Sequence, residues 1–238
     1  KRQAYNTYIT AFNSNMVVNE SFLDSATVRE NVVSLARNIG YVPRSRSAAK
    51  AQISFPYNTT STASTATLSA GLVCVGTVEN TNYLFSIPSD ITTTIVNGVA
   101  NFDNINIFQG TFLRKQFVVD GSLDQRFLLD NSFIDSSTIV VKVKGLSDTG
   151  VGREYSQANN ILNIDSTSEI YLLQEVKDER YELLFGDGYF GKKLENGAVI
   201  TVSYIITDGK EGNGPTNFAY SGRVVDDLGN AIIPSSNI

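Results

Sequence analysis

The stretch "GAVITVSYII", Gly197 to Ile206, limits the fold more than any other part of the chain. Ala198, Ile200, Val202, Tyr204 and Ile206 occupy every second position. Successive side chains of a strand point to opposite faces, so a two-residue period requires a sheet with one buried face. The same period recurs upstream. Ile139, Val141 and Val143 share one face, and Thr138, Lys142 and Lys144 take the other. In "RYELLF" the inward set is Tyr181, Leu183 and Phe185, with Arg180 and Glu182 outward. "AQISF", "LVCVGTV" and "YLFSI" read as strands of about four to eight residues bounded by turn formers. "VVDGSLDQRFLL" and "EVKDERYEL" each read as strand, tight turn, strand. Asn58 to Ala70, "NTTSTASTATLSA", is too rich in Ser and Thr for a helix; it reads as a polar strand edge or loop, with a linker as the weaker option.

One helix stands out near the start, in "SFLDSATVRENVVSLARNIGYVP". Val28, Val32, Leu35 and Ile39 recur at helical spacing and form a single apolar stripe, opposite Arg29, Glu30, Ser34 and Arg37. Thr27 and Glu30 fit a capping box, Gly40 a C-terminal cap, and Pro43 forbids continuation. The helix either packs on its own domain or docks on another subunit. The expected fold class is mainly β with an N-terminal helix (α+β), built from antiparallel β-sandwich or barrel-like domains.

Composition removes several kinds of chemistry. There are no histidines, which excludes Ser-His-Asp and Cys-His nucleophile systems, His-ligated zinc and the commonest general base. Cys74 is the only cysteine, so no disulfide closes within the chain and no thiolate zinc site forms. It lies in the apolar run "GLVCVGTV", where a buried structural thiol is expected. The net charge of -5 disfavours nucleic acid as a partner. No apolar run approaches the roughly 18 residues of a membrane span, and no signal peptide is evident. The chain begins at Lys1 and its one methionine is Met16, which reads as a fragment of a longer polypeptide.

"LFGDGYFGKK", Leu184 to Lys193, imitates a nucleotide loop. Gly186, Gly188 and Gly191 satisfy G-x-G-x-x-G, and Gly186, Gly191 and Lys192 satisfy most of a P-loop, with Lys193 where Ser or Thr belongs. Such loops hold phosphate because a helix starts directly after them. Here "KKLENGAVITVSY" follows, broken at Gly197 and then alternating with strand period, so the glycines are expected to serve a hairpin between two strands whose backbone visits positive φ. Gly191 and Gly197 bracket a second bend, and Phe185, Tyr189 and Phe190 are expected to pack across the corner. No cofactor is implied. "DERYE" (Asp178, Glu179, Glu182) and "RVVDDLGN" (Asp226, Asp227) lack the ligand spacing of a calcium loop and read as solvated turn acids. Arg44, Arg46 and Lys50 read as a solvated strand entry, or as a contact for an acidic neighbour.

The segment "YELLFGDGYFGKKLENGAVITVSYIITDGKEGN" resembles the signature of baseplate J-like proteins of contractile phage tails. Phe185, Gly186, Asp187, Gly188, Gly191, Gly197, Ile200, Val202, Tyr204, Gly212 and Asn213 stand in that family's order. "FLDSATVRENVVSLARNIGYVPRSRSAAKAQISF", "QGTFLRKQFVVDGSLDQRFLLDNSFIDSSTIVVKV" and "NNILNIDSTSEIYLLQEV" are similar to baseplate wedge subunits of T-even-like phages. The resemblance covers about Phe22 to Phe55 and Gln109 to Phe218, leaving Pro56 to Phe108 without a counterpart. It implies part of a longer structural protein of the virion tail baseplate, assembled in the host cytoplasm. Such a protein has no catalysis, cofactor, metal, nucleic acid, membrane or small-molecule substrate. Its partners would be itself, through homodimer or ring contacts, and other wedge proteins, in a ring around the hub that transmits the contraction trigger. The implied organisation is an N-terminal helical arm (residues 1–48), a smaller β-rich domain or insertion (49–115), a J-like β domain (116–220) and the start of a following segment (221–238). The alternatives are a tail-associated adhesin or carbohydrate-binding β module, and an enzyme using the glycine loop.

Overall fold

The computed structural model describes residues 2–38, 45–122, 125–158, 164–176, 179–235 and 238. Ile39 of the expected stripe, Gly40 and Pro43 of its expected stop, Arg44 and Asp178 lie outside the described residues, as do the side chains of Glu30 and Arg37. The chain is mostly β, with helix at its N-terminus, and divides into two units.

The first unit comprises Lys1–Arg44 with Glu175–Asp178. It holds α1 (Arg2–Glu20) and α2 (Arg29–Asn38). Hydrophobic periodicity marks only α2. The polar half of α1 is mostly Asn, Thr and Ser, which favour caps and turns over helix interiors, so propensity gave no sign of it. No α1 residue is buried. The start of α2 is held by a residue outside the expected capping box, whose Glu30 side chain is not described. Glu20, at the end of α1, reaches over the start of α2, where Oε1 accepts from Thr27 N at 2.9 Å and Thr27 Oγ1 at 2.8 Å. Its Oε2 accepts from Asn31 Nδ2 at 2.8 Å and Val28 N at 3.2 Å. Thr27 therefore donates its hydroxyl to Glu20, and a carboxylate from the preceding helix holds the positive end of α2. Within this unit Arg29 Nη1 meets Glu175 Oε1 at 2.5 Å.

The second unit, Ser45–Gln174 with Glu179–Ile238, contains two sheets with separate cores. The first sheet is built from β1 (Lys50–Asn58), β2 (Thr65–Leu68), β3 (Gly71–Val78), β4 (Thr81–Ile87), β5 (Ile91–Val96) and β6 (Val99–Gln109). Short strands β14 (Phe218–Tyr220), β15 (Val224–Val225) and β16 (Ala231–Ile232) return to it from the C-terminal region. Its order is β14-β3-β4-β6-β5-β2-β15-β16, with β1 also on β6. The Ser/Thr-rich stretch thus supplies a strand, β2, between β5 and β15, with Ala66 and Leu68 fully buried. Cys74 is buried in this core, and burial pushes its thiol up to about 11.

The second sheet contains β7 (Thr111–Val118), β8 (Phe127–Leu129), β9 (Val140–Lys144), β10 (Arg153–Gln157), β11 (Ile170–Glu175), β12 (Tyr181–Phe185) and β13 (Val199–Ile206). Its order is β7-β13-β9-β10-β11-β12-β8. The two end strands approach one another. Phe117 and Phe127 meet edge to face at 5.5 Å, and Lys115 Nζ donates to the Leu128 carbonyl at 2.8 Å, so the sheet nearly closes into a barrel. The predicted inward set of β13 forms its heart, with Ile200 and Val202 fully buried and Tyr204 receiving Asn131 Nδ2 at 2.8 Å.

Three expectations are corrected here, and one strand pair departs from the expected antiparallel pairing. β10 and β11 run parallel, so the sheet is not purely antiparallel. Strands β12 and β13 do not form a hairpin; β9, β10 and β11 lie between them, and the glycine stretch is a crossover at one end of the barrel. Thr138 is buried, because Ser136–Thr138 form a 3-10 turn whose Thr138 Oγ1 donates to Asp135 O at 2.7 Å and accepts Ile205 N at 3.0 Å. Glu182 is buried as well, against Arg126.

Two chain segments join the sheets, residue 110 between β6 and β7 and residues 207–217 between β13 and β14. Gly110 links β6 to β7 at φ +139, and a Cβ there would stand 2.2 Å from the Ile206 carbonyl oxygen. Beside it the buried Gln109 amide bridges the two sheets. Its Oε1 accepts Thr207 Oγ1 at 2.7 Å and Asp208 N at 3.1 Å, and its Nε2 donates to Asp208 Oδ2 at 2.9 Å.

Candidate functional site

The glycine crossover is a rigid corner. From Phe185 the chain turns so sharply that a Cβ on Gly186 would lie 2.2 Å from the Gly191 carbonyl carbon. Gly186 is therefore required by close backbone approach, whereas Gly188 and Gly191 are required by φ of +98 and +81. Asp187 Oδ1 accepts from Tyr189 N at 2.8 Å and Phe190 N at 2.9 Å. Those amides, that of Phe190 first, hold its carboxyl below the usual carboxylate range. Gly188 N donates to Gly191 O, Gly191 N to Asp165 O and Lys192 N to Ser168 O.

This bonding bears directly on the nucleotide resemblance. A phosphate loop needs free amides directed at the anion. Here the five consecutive amides of residues 188–192 are engaged by internal oxygens, two of them by the loop's own carboxylate. The chain then bends at Gly197 (φ +85), whose N–H donates to Val119 O, and enters β13 with no helix between.

The aromatic residues divide. Phe185 turns inward and packs on Phe127 at 5.4 Å and Tyr155 at 6.0 Å. Tyr189 and Phe190 do not pack across the corner as expected; they are 84% and 63% exposed. Phe190 forms one wall of a shallow apolar depression completed by Ile164, Ile170, Leu172 and Leu184. A fixed backbone carrying two bare aromatic rings beside an apolar depression suits contact with another protein surface, where such rings dominate binding.

Gly212 and Asn213, which close the signature, belong to a different place. They follow the far end of β13, about 25 Å along the strand from the loop at the usual strand rise. A Cβ on Gly212 would sit 2.3 Å from Gln109 Cγ, so this glycine lets the 209–212 turn lie against the amide bridge. Asn213 N donates to Lys210 O at 3.1 Å.

The helix stripe is only partly exposed. Val28 is exposed and Val32 and Leu35 are half-buried, while neighbouring Ala36 is buried. The larger bare surface lies on α1, where Tyr5, Tyr8, Ile9, Phe12 and Met16 follow helical spacing, with Phe12 55% exposed. Sequence reasoning missed this stripe, although its i, i+4, i+7, i+11 spacing was readable. Among the described residues no group of three or more His, Cys, Asp or Glu is placed to hold a metal ion. Asp226 accepts Leu228 N and Asn230 N within its own turn. Arg46 lies over the Phe133 ring at 4.0 Å and Lys50 over Phe108 at 5.6 Å, so both cations stack on aromatic rings.

No family model matches the chain. The chain is 27% identical over 237 residues to the baseplate wedge protein gp6 of Enterobacteria phage T4, covering 92% of this chain. The relationship is distant and baseplate-wedge-like. The chain spans about a third (35%) of that protein's length. At this coverage the similarity reaches into the 56–108 region, which the quoted motifs had left without a counterpart.

Proposed function

We propose that this chain is part of a structural protein of a contractile phage tail baseplate, carried in the virion and assembled in the host cytoplasm. It works through protein contacts and carries out no catalysis. The observation that carries this reading is the similarity over 92% of the chain to a baseplate wedge protein. The surface supports it. The α1 stripe and the Tyr189–Phe190 pair expose aromatic residues of the kind that anchor interfaces, and each stands on a regular helix or a bonded turn.

In the finer reading the chain pairs with itself and with other wedge proteins in a ring around the hub, and passes on the contraction trigger. The baseplate J-like assignment of residues 116–220, and the partition into 1–48, 49–115 and 221–238, belong to this reading. The helices supply a subunit contact through Phe12 on α1 and through Val28, Val32, Leu35 and Ile39 on and after α2.

Sedimentation and melting of Phe12→Asp and Leu35→Asp test the contact. In a subunit contact, each charge abolishes self-association or wedge assembly and leaves the β circular dichroism and melting temperature nearly unchanged. A large fall in melting temperature in chains that are monomeric with or without the substitution would refute the helix interface.

A further inference from the structure

We propose that the cleft between the two sheets of the second unit is a strand-addition site for an extended, cation-bearing segment of a partner protein. The open edge belongs to the β3–β4 hairpin. Its two turn residues, Glu79 and Asn80, both have positive φ (46 and 66), the signature of a two-residue type I′ connection. In such a hairpin the flanking residues, Val78 and Thr81, exchange backbone hydrogen bonds, and bonding then alternates along the strands. Thr81, Tyr83 and Phe85 bond to β3, whereas Asn82 and Leu84 direct their peptide groups away from it.

On that outer side β4 meets β6 only at Phe85 and Ser86. The Leu84 carbonyl accepts Gly110 N at 2.8 Å, and there the pairing stops. Asn82 therefore presents both its N–H and its carbonyl to an open cleft of about 510 Å³, within the roughly 300–1,000 Å³ range of ligand sites. An unpaired edge inside a cleft is the geometry in which a peptide adds as a further strand, its main chain supplying affinity and its alternate side chains specificity.

The walls select what would enter. Asp208 and Glu211, both exposed, are the charged residues of its lining, and Arg46 sits over the lining ring of Phe133 at 4.0 Å. Leu84 and Phe133, 40% and 48% exposed, add apolar surface. Gln109 and Gly110 fix the floor through the bridge described above. The matching segment alternates small apolar residues with Lys or Arg, so that its cations face the two carboxylates.

The probe is a blocked hexapeptide of alternating Lys and Val, added to the isotopically labelled full chain, with amide exchange read by NMR. Its Glu-for-Lys counterpart and a backbone N-methylated form serve as controls. The proposal expects saturable binding that slows exchange of the Asn82 amide at least tenfold. It also expects at least tenfold weaker binding of the Glu peptide, and none of the N-methylated one. Glu211→Lys should weaken the Lys peptide severalfold without changing the melting temperature. Absence of Asn82 protection, or equal binding of the Lys and Glu peptides, overturns it. So does protection of Asn82 that rises with the chain's own concentration in the absence of peptide, which would assign the edge to a second copy.

Discussion

Glu182 stands at a position that the alternation of β12 assigns to solvent, yet it is 7% exposed. Arg126 explains the difference. Its Nε and Nη2 reach Glu182 Oε1 and Oε2, each at 2.7 Å, a two-pronged ion pair that covers the carboxylate and, with that hydrogen bonding first, holds its pKa down. Because Arg126 is half exposed, the two partners are not equivalent. Arg126→Met leaves a buried carboxylate without its donor and should cost about 1–3 kcal/mol, whereas Glu182→Gln leaves no buried charge and should cost less. Urea unfolding of the two variants checks the order; a larger loss in Glu182→Gln would contradict it. On the same strand, Leu183 is 1% exposed, and Leu183→Ala should cost about 2–5 kcal/mol. At the crossover, Gly188→Val forces a β-branched residue to φ +98 and should cost about 1–3 kcal/mol. Thermal stability unchanged by that substitution would argue against the turn.

At the scale of elements, the Glu20 cap gives α2 a pH dependence. Bonding to Asn31, and then to Thr27, lowers the Glu20 carboxyl from 4.5 to about 2. A group whose folded pKa is depressed stabilises the fold above its unfolded pKa and loses that contribution as pH falls toward the folded value. The first turn of α2 should therefore stay ordered at pH 5 and loosen between about pH 4.5 and 2, with the Thr27 and Asn31 amide signals moving together. A Glu20 titration midpoint near 4.5, by NMR, would show that the cap does not form in solution.

The elements also show what was legible beforehand. Ile200, Val202 and Tyr204 gave β13 its strand and its face, and Tyr181 and Leu183 did the same for β12, because alternation encodes which side is buried. Alternation does not encode the neighbour. The parallel pairing of β10 with β11 and the three strands between β12 and β13 were thus unreadable from local pattern. The glycine corner was legible as a turn, since Gly188 and Gly191 are required by φ. That Tyr189 and Phe190 point outward depends on Asp187 bonding their amides, a choice among side-chain acceptors that spacing cannot reveal. α1 stayed hidden because its Asn, Thr and Ser content offsets its apolar stripe.

In the second unit as a whole, one buried amide links the two sheets beside their two chain connections. Gln109→Leu removes the bridge and leaves Thr207 Oγ1 and Asp208 N without their acceptor, so it should cost about 1–3 kcal/mol. Calorimetry should also show the two sheets melting less cooperatively. A single transition at the parental temperature would mean that the sheets are coupled elsewhere.

The most direct test of the proposed role is quantitative mass spectrometry of purified contractile-tailed particles, and of baseplates isolated from them, from the source that encodes this chain. The account predicts peptides spanning both the helical unit and the two sheets, at a fixed ratio to the other baseplate proteins and enriched in the isolated baseplates. Peptides abundant in infected cells but absent from the particles would contradict it.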